Sequence, residues 1–376
     1  MKVAVILGTR PEIIKMAPVI RELERRKLDY FILHTGQHYS YNLDEVFFEQ
    51  LGLPKPKYNL EVGSGTHAEE TARMLIGIEK VLLEEKPDIV LVEGDTNSVL
   101  AGALAAGKLH IKVGHVEAGL RSGDKTMPEE LNRILTDHLS EFLFAPTEKA
   151  KENLLREGIP EEKIFVTGNT IVDAVLQNVE RAKTHSNLAS SKEFKILNLK
   201  PQNYLLVTLH RQENVDDPKR FASILEGLKK VRVEFGLPVI YPIHPRAQKM
   251  MRAFDLQPDG VELIEPVDYL TFLWLEANAK LVLTDSGGVQ EETCILGVPC
   301  VTLRDNTERP ETLEVGSNIL AGAEPGRILE CCNMMLTRRN SWRNPFGDGK
   351  AAERIVKILL GEGFDELKLP QRRHYG

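Results

Sequence analysis

Three acidic residues in the first half of the chain stand out, two just past apolar runs and one at the helix start that follows. They are Asp95 in Glu93-Gly-Asp-Thr96, Glu117 in Gly114-His-Val-Glu117, and Glu129 in Pro128-Glu-Glu130. A carboxylate closing a buried run has lost water, so it needs a partner or a shifted proton affinity. Three of them near the ends of neighbouring strands make an inventory for moving protons. Each also has a purely structural reading. Asp95 can cap the helix that follows, and Thr126 and Glu129 have the spacing of a capping box. Glu117 can be held in a network by Arg121 or His115.

A second set of residues suits an anion. In Leu281-Val-Leu-Thr-Asp-Ser-Gly-Gly-Val-Gln-Glu-Glu-Thr293, a β-branched run meets Ser286-Gly287-Gly288 and then a helical pattern. Backbone N–H groups at such a helix start carry about half a positive charge, and glycine admits a phosphate closely. The alternative is that the glycines only make a tight turn. One turn further on, Glu292 could accept both hydroxyls of a ribose. Arg-Pro-Glu occurs twice, at Arg10-Pro-Glu12 and Arg309-Pro-Glu311, each time beyond a strand pattern. Two such arginines could grip a diphosphate from two sides, though either could be a solvated arginine at a helix start. Thr9 with Glu12 reads as a capping box, and Lys15 sits in the same helix. His210 follows a strand pattern and suits a phosphate ligand, an acid or a structural residue; His244 ends the next strand similarly. The sum is a nucleotide-sugar enzyme that works by acid/base chemistry. No metal-ligand spacing, nucleophile elbow or cofactor fingerprint accompanies it.

These residues need strands and helices in alternation, and the chain supplies them. Short apolar runs at residues 3–7, 30–34, 89–92, 113–116, 142–145 and 164–167 alternate with amphipathic segments such as 13–26, 68–85 and 147–157. Around 185–202 the pattern lapses into Ser, Asn and Lys, and it resumes at 205–208, 239–243, 261–264, 281–284, 300–303 and 319–321. Alternation of this kind predicts βαβ units and parallel sheets. The expected domains are 1–183, bearing the carboxylates, and 203–345, binding the nucleotide. Residues 184–202 link them, and 346–376 form a last helix and tail. Ligands of doubly wound sheets sit at the carboxyl ends of strands, so the cleft between two such domains is the expected site.

Composition narrows the class. The 376 residues suffice for two cores. A net charge of −7 argues against a nucleic-acid partner, while a local cation cluster can still attract an anion. No apolar run reaches the roughly 20 residues of a membrane span, and the short N-terminal apolar run reads as a strand and not as a signal peptide. Cys294, Cys300, Cys331 and Cys332 form no CxxC pair and read as reduced thiols of a cytoplasmic protein.

The motifs GTRPExIK, EGDT, GHVEAGLR, PEExNR, HRxEN, TDSGGxQEE and TERPE follow one another between Gly8 and Glu311. In this order they resemble the non-hydrolysing UDP-N-acetylglucosamine 2-epimerase family over nearly the whole length. The resemblance implies a glycosyltransferase-B-like fold of two Rossmann-like domains facing across a cleft. It also implies a last helix returning to the first domain, a homodimer, and no NAD or other cofactor. It carries acid/base roles to Asp95, Glu117 and Glu129 without saying which is acid and which is base. His210, Arg10, Arg309 and Ser286-Gly287-Gly288 would hold UDP with Lys15 close by. Glu292 would hold the ribose, and Phe272 would pack at the uracil. The implied substrates are UDP-N-acetylglucosamine and UDP-N-acetylmannosamine.

The chain departs from the pattern in three places. Val267 stands where many bacterial members have Gln, so only its backbone could meet the base. The spacing from Gln37-His38 to Leu43-Asp44 is longer than in typical bacterial members, and the loop from Arg121 to Pro128 is shorter. The last two regions help form a second, activating nucleotide-sugar site in bacterial relatives, so these departures argue against activation by substrate.

Overall fold

A computed structural model describes residues 1–36, 41–184, 199–338 and 341–362, with backbone alone for 41–45 and 184. Most of the expected linker, the Gln37-His38 segment and the polar tail lie outside the described residues.

The first half builds seven parallel strands: β1 (Lys2–Leu7), β2 (Asp29–His34), β3 (Tyr58–Asn59), β4 (Ile89–Glu93), β5 (Lys112–Val116), β6 (Phe142–Ala145) and β7 (Ile164–Val166). They lie in the order β3-β2-β1-β4-β5-β6-β7. The second half adds β8 (Leu205–Thr208), β9 (Val239–Pro242), β10 (Glu262–Ile264), β11 (Leu281–Thr284), β12 (Cys300–Thr302) and β13 (Asn318–Leu320), in the order β10-β9-β8-β11-β12-β13. Both sheets are parallel, and in both the strand order reverses beside the first strand, which is the Rossmann arrangement. The short strand β3 carries no clear alternation in the sequence and was not among the expected strands.

The strands read as continuous apolar runs because both faces are covered. In β1, Val3, Ala4, Val5, Ile6 and Leu7 are all buried. The helix Arg10–Arg25 covers one face with Ile13, Met16, Val19, Ile20 and Leu23. Each such side chain contributes about 2 kcal/mol relative to exposure. On the helix Asn97–Lys108, Gly102 faces Val92 and Ile6 so closely that an added Cβ would lie 3.0 Å from Val92.

By contacts the chain forms two compact units. One is Met1–Ala174 together with the segment from Phe346 onward; the other is Val175–Pro345. The last described helix, Ala351–Leu359, packs on the helix Arg10–Arg25. Its start has no cap of its own. Instead the Asp173 carboxylate accepts from the N–H groups of Ala351 (3.1 Å) and Ala352 (3.0 Å). No helix among the described residues is long and apolar enough to cross a membrane.

Candidate active site

In the first unit the carboxyl ends of β1, β4 and β5 lie side by side, since β1 pairs with β4 and β4 with β5. Glu93 ends β4, and Glu117 stands one residue past the end of β5. Both are buried and share one cation, Lys15 from the helix after β1. Its Nζ lies 3.1 Å from Glu93 Oε1 and forms a second, shorter ion pair with Glu117. Burial pushes Glu93 well above the ordinary carboxylate range; Lys15 opposes the rise and Glu117 adds to it. Glu117 adopts φ +69°, a left-handed conformation unusual for a residue with a side chain. Such a residue persists where its surroundings fix it, often at a functional site.

Lys15 is thus a partner of the carboxylates, whereas the sequence placed it near the nucleotide and offered Arg121 or His115 as partners of Glu117 only in the structural alternative. Those two bind Asp137 instead: His115 Nδ1 lies 2.6 Å from Oδ1, and Arg121 lies 2.8 Å from Oδ2. Burial works against ionising Asp137, but His115 and Arg121 outweigh it and hold its pKa low. His115 Nε2 meets the carbonyl of Gly94 at 2.8 Å, which ties β5 to the loop bearing Asp95.

Three expected caps take other forms. Thr96, and not Asp95, stands at the N-cap position of the next helix, without a side-chain cap, and the Asp95 carboxylate accepts instead from Arg133 Nε (3.0 Å) and from a terminal nitrogen (2.8 Å). Thr9 makes no side-chain cap, and Glu12 turns back to Gly8 N–H and Thr96 Oγ1, each at 2.6 Å. Burial raises Glu12 to about 7 despite these donors. Met127, not Thr126, precedes the helix Pro128–Leu139, and Thr126 donates to Asp124. In each case a tertiary partner outcompetes the local one.

Glu129 is exposed on the first turn of that helix, and the structure does not join it to Asp95 or Glu117. Its neighbour Glu130 is the buried one. Glu130 accepts from the N–H groups of Ser122 and Gly123 and pairs with Arg133, the arginine that grips Asp95. Arg10 lays its guanidinium over the Phe47 ring, 5.0 Å from the centroid.

In the second unit the loops after β8 and β11 meet where the strand order reverses. Asp285, fully buried, accepts from the N–H groups of His210 and Arg211 and from Asn214, and lies 3.0 Å from His210 Nδ1. Burial opposes its charge, yet His210 and the other donors keep its pKa low. The His210 side chain is 40% exposed, so its other edge is available to a ligand. Ser286 caps the helix Gly287–Leu296. A Cβ added at Gly287 would lie 2.5 Å from Glu308, whereas one at Gly288 would touch only Ser286 Oγ at 3.9 Å. A side chain at 287 would therefore have to displace the Glu308 carboxylate, whereas 288 is unobstructed and leaves the helix start open to an anion.

Glu308 is the hub of the cations here. It pairs with Arg211 (2.9 Å) and Arg304 (2.8 Å), and Arg309 pairs with Glu291 next to it in the fold. Burial notwithstanding, Arg211, Arg304 and Arg309 pull Glu308 down to about 2. Glu292 is buried and accepts from the Tyr269 hydroxyl at 3.0 Å. Val267 and Phe272 pack against the same apolar cluster. Asp285 and Glu308 were not among the expected site residues, although both lie inside the motifs TDSGGxQEE and TERPE. A buried aspartate directly before Ser-Gly-Gly was the available signal.

Two parallel Rossmann-type sheets, one with strand-end carboxylates and one with an open helix start among arginines, define a glycosyltransferase-B-like sugar-nucleotide protein. The family model for UDP-N-acetylglucosamine 2-epimerase matches residues 21–360. The chain belongs to that family. It is 58% identical to the UDP-N-acetylglucosamine 2-epimerase of Methanocaldococcus jannaschii, over 96% of this chain and 99% of the relative. It superposes with a TM-score of 0.87 on a crystal structure of the M. jannaschii UDP-GlcNAc 2-epimerase in complex with UDP-GlcNAc and UDP, covering 96% of this chain and 100% of that one. It is also 46% identical to the UDP-2,3-diacetamido-2,3-dideoxy-D-glucuronate 2-epimerase of Pseudomonas aeruginosa, over 96% of this chain and 99% of the relative.

Proposed function

We propose that this protein is an isomerase that interconverts UDP-N-acetylglucosamine and UDP-N-acetylmannosamine by inverting C2 of the sugar. The observation that carries the reading is the buried pair Glu93 and Glu117 sharing Lys15 at neighbouring strand ends, within a chain of this family.

The C2 proton is not α to a carbonyl, so direct removal and return is not feasible. In the proposed route a base takes that proton, the C1–C2 double bond of a glycal forms, and the C1–O bond breaks with its electrons leaving on UDP. The same UDP then adds back to C1 while a proton reaches C2 on the opposite face. Inversion needs proton-handling groups on both faces. Asp95, Glu117 and Glu129 are the candidates, and Glu117, held by Lys15, and Asp95, held by Arg133, are the better positioned. Help of this kind supplies about 10²–10⁴-fold. Stabilising the departing diphosphate is the larger task. It falls to the N–H groups of Gly287 and Gly288, to His210 and to Arg309; Arg10 is a further candidate ligand of UDP. Glu292 takes the ribose, while Phe272 and the Val267 backbone meet the uracil.

The test is incubation with UDP-N-acetylglucosamine in D2O, followed by proton NMR. Deuterium at C2 with a mixture of UDP-linked gluco and manno sugars is the expected result. Free N-acetylmannosamine with UDP would mean hydrolysis, and no exchange would sink the reading for this substrate. The Pseudomonas relative makes the diacetamido-uronate nucleotide the second substrate to run in the same assay.

We also infer pairing with a second copy. Leu131, Leu135 and Leu139 lie exposed at four-residue intervals on the helix Pro128–Leu139, and Ile76 and Leu83 lie exposed on the helix His67–Glu85. Both helices pack against the helix Asn97–Lys108. Light scattering at twice the chain mass, lost on Leu135→Asp, is the expected outcome. The four cysteines are free and buried, which suits a reducing compartment such as the cytoplasm.

A further inference from the structure

Asp137, on the helix Pro128–Leu139, takes no part in the reaction as proposed, yet it holds the chain on both sides of Glu117. Its Oδ1 lies 2.6 Å from His115 Nδ1, two residues before Glu117. Its Oδ2 accepts from the Gly119 N–H at 3.2 Å, two residues after Glu117. The side chains of Asp137 and His115 are completely buried. Between these two grips Glu117 sits at φ +69° and Gly119 at φ +83°. A left-handed glutamate persists only where its surroundings impose the conformation, and one carboxylate fastened at positions 115 and 119 does so. Gly119 is also pressed against its neighbour, since an added Cβ would lie 2.4 Å from the Ala150 carbonyl oxygen.

The same network reaches the loop of the second carboxylate. His115 Nε2 lies 2.8 Å from the carbonyl of Gly94, one residue before Asp95. Asp137, whose pKa its cations hold low, can only accept, and so can a carbonyl. Both ring nitrogens of His115 therefore donate, and each carries a proton. Charges then alternate outward from the ring: Arg121 lies 2.8 Å from Asp137 Oδ2 and 2.6 Å from Glu157. Alternation of this kind lets a buried carboxylate stay ionised and rigid.

We propose that Asp137 is a positioning residue for the epimerisation: through Gly119 and His115 it fixes the turn that presents Glu117 and the loop that presents Asp95. The two carboxylates thereby keep one mutual placement. The proposal rests on Asp95 and Glu117 as the acid/base candidates of the proposed function.

The experiment follows C2 deuterium exchange at saturating UDP-N-acetylglucosamine, UDP affinity by calorimetry and the folded fraction by urea unfolding, in the full chain and three variants. Asp137→Asn keeps the shape but can no longer accept on both sides. Asp137→Glu keeps the charge but moves it by one C–C bond, about 1.5 Å. Each should slow exchange per folded molecule about 10–100-fold, the cost of a misplacement on this scale, with UDP affinity unchanged. Glu157→Gln, which loosens only the outer end of the network, should keep the full exchange rate. NMR of the His115 ring in the unsubstituted protein should show an N–H on each nitrogen. Full exchange in either Asp137 variant, an equal loss in Glu157→Gln, a parallel fall in UDP affinity, or failure of both Asp137 variants to fold overturns the proposal. A single ring N–H does so as well, because it would sever His115 from Gly94. Absence of exchange in the unsubstituted protein instead overturns the functional reading, and the proposal with it.

Discussion

Lys15 Nζ lies 3.1 Å from Glu93 Oε1 while it also pairs with Glu117, so one cation from the first helix serves two strand-end carboxylates. Lys15→Met removes the cation that both share. Loss of one partner from a buried pair costs about 3 kcal/mol, which urea unfolding at pH 7 should show. The loss should shrink in acid, because carboxyl groups that have lost that cation can then be protonated. Turnover should fall while UDP affinity holds. A parallel fall in UDP affinity would place Lys15 at the diphosphate after all.

Glu117→Gln should abolish C2 deuterium exchange and leave UDP binding unchanged, since the proposed diphosphate ligands are mainly His210, Gly287, Gly288 and Arg309. Calorimetry with UDP, run beside the NMR assay, checks both halves. Loss of both would make Glu117 a structural residue.

Glu12 gives the fold a pH dependence of its own. Its pKa is about 7 when folded, against 4.5 ordinarily. A raised acid stabilises the fold fully below the lower value, and that contribution is lost as pH rises through the upper one. Unfolding free energy should therefore drop by up to about 3 kcal/mol between those pH values from this group alone. Glu12→Gln has no proton to lose there, so its deficit relative to the unsubstituted protein should narrow as pH rises. A constant difference would contradict the assignment.

Asp285→Asn trades a carboxylate that collects the His210, Arg211 and Asn214 donors for an amide with one acceptor oxygen. Hydrogen bonds to a charged group are worth about 1.5–3 kcal/mol each. UDP affinity should fall roughly 10–100-fold, the opposite of the Glu117→Gln result. Unchanged affinity would remove His210 from the nucleotide site.

The architecture was legible because parallel strands covered on both faces appear as unbroken apolar runs, and β1, β4, β8 and β11 all do. The anion-binding turn at Ser286 was legible for a similar reason, since strand, glycines and helix are contiguous. What failed was the choice of partner. Thr9, Asp95 and Thr126 all carry local capping patterns, yet Glu12 goes to Gly8 and Thr96, Asp95 to Arg133, and Thr126 to Asp124. Glu129 and Glu130 are adjacent and alike in sequence, and only the helix phase decides that 130 is buried. Lys15 lies 102 residues from Glu117, and no local pattern encodes such a pairing.

Asp173 and the helix Ala351–Leu359 meet across 178 positions of chain, with the whole second unit between them. During synthesis the first unit therefore emerges without one of its own helices. At about 5–20 residues per second, that interval lasts on the order of ten seconds or more. Until it ends, the surface of the helix Arg10–Arg25 that receives Ala351–Leu359 is uncovered and Asp173 lacks the N–H groups of Ala351 and Ala352. A chain cut short after the second unit would keep that defect permanently.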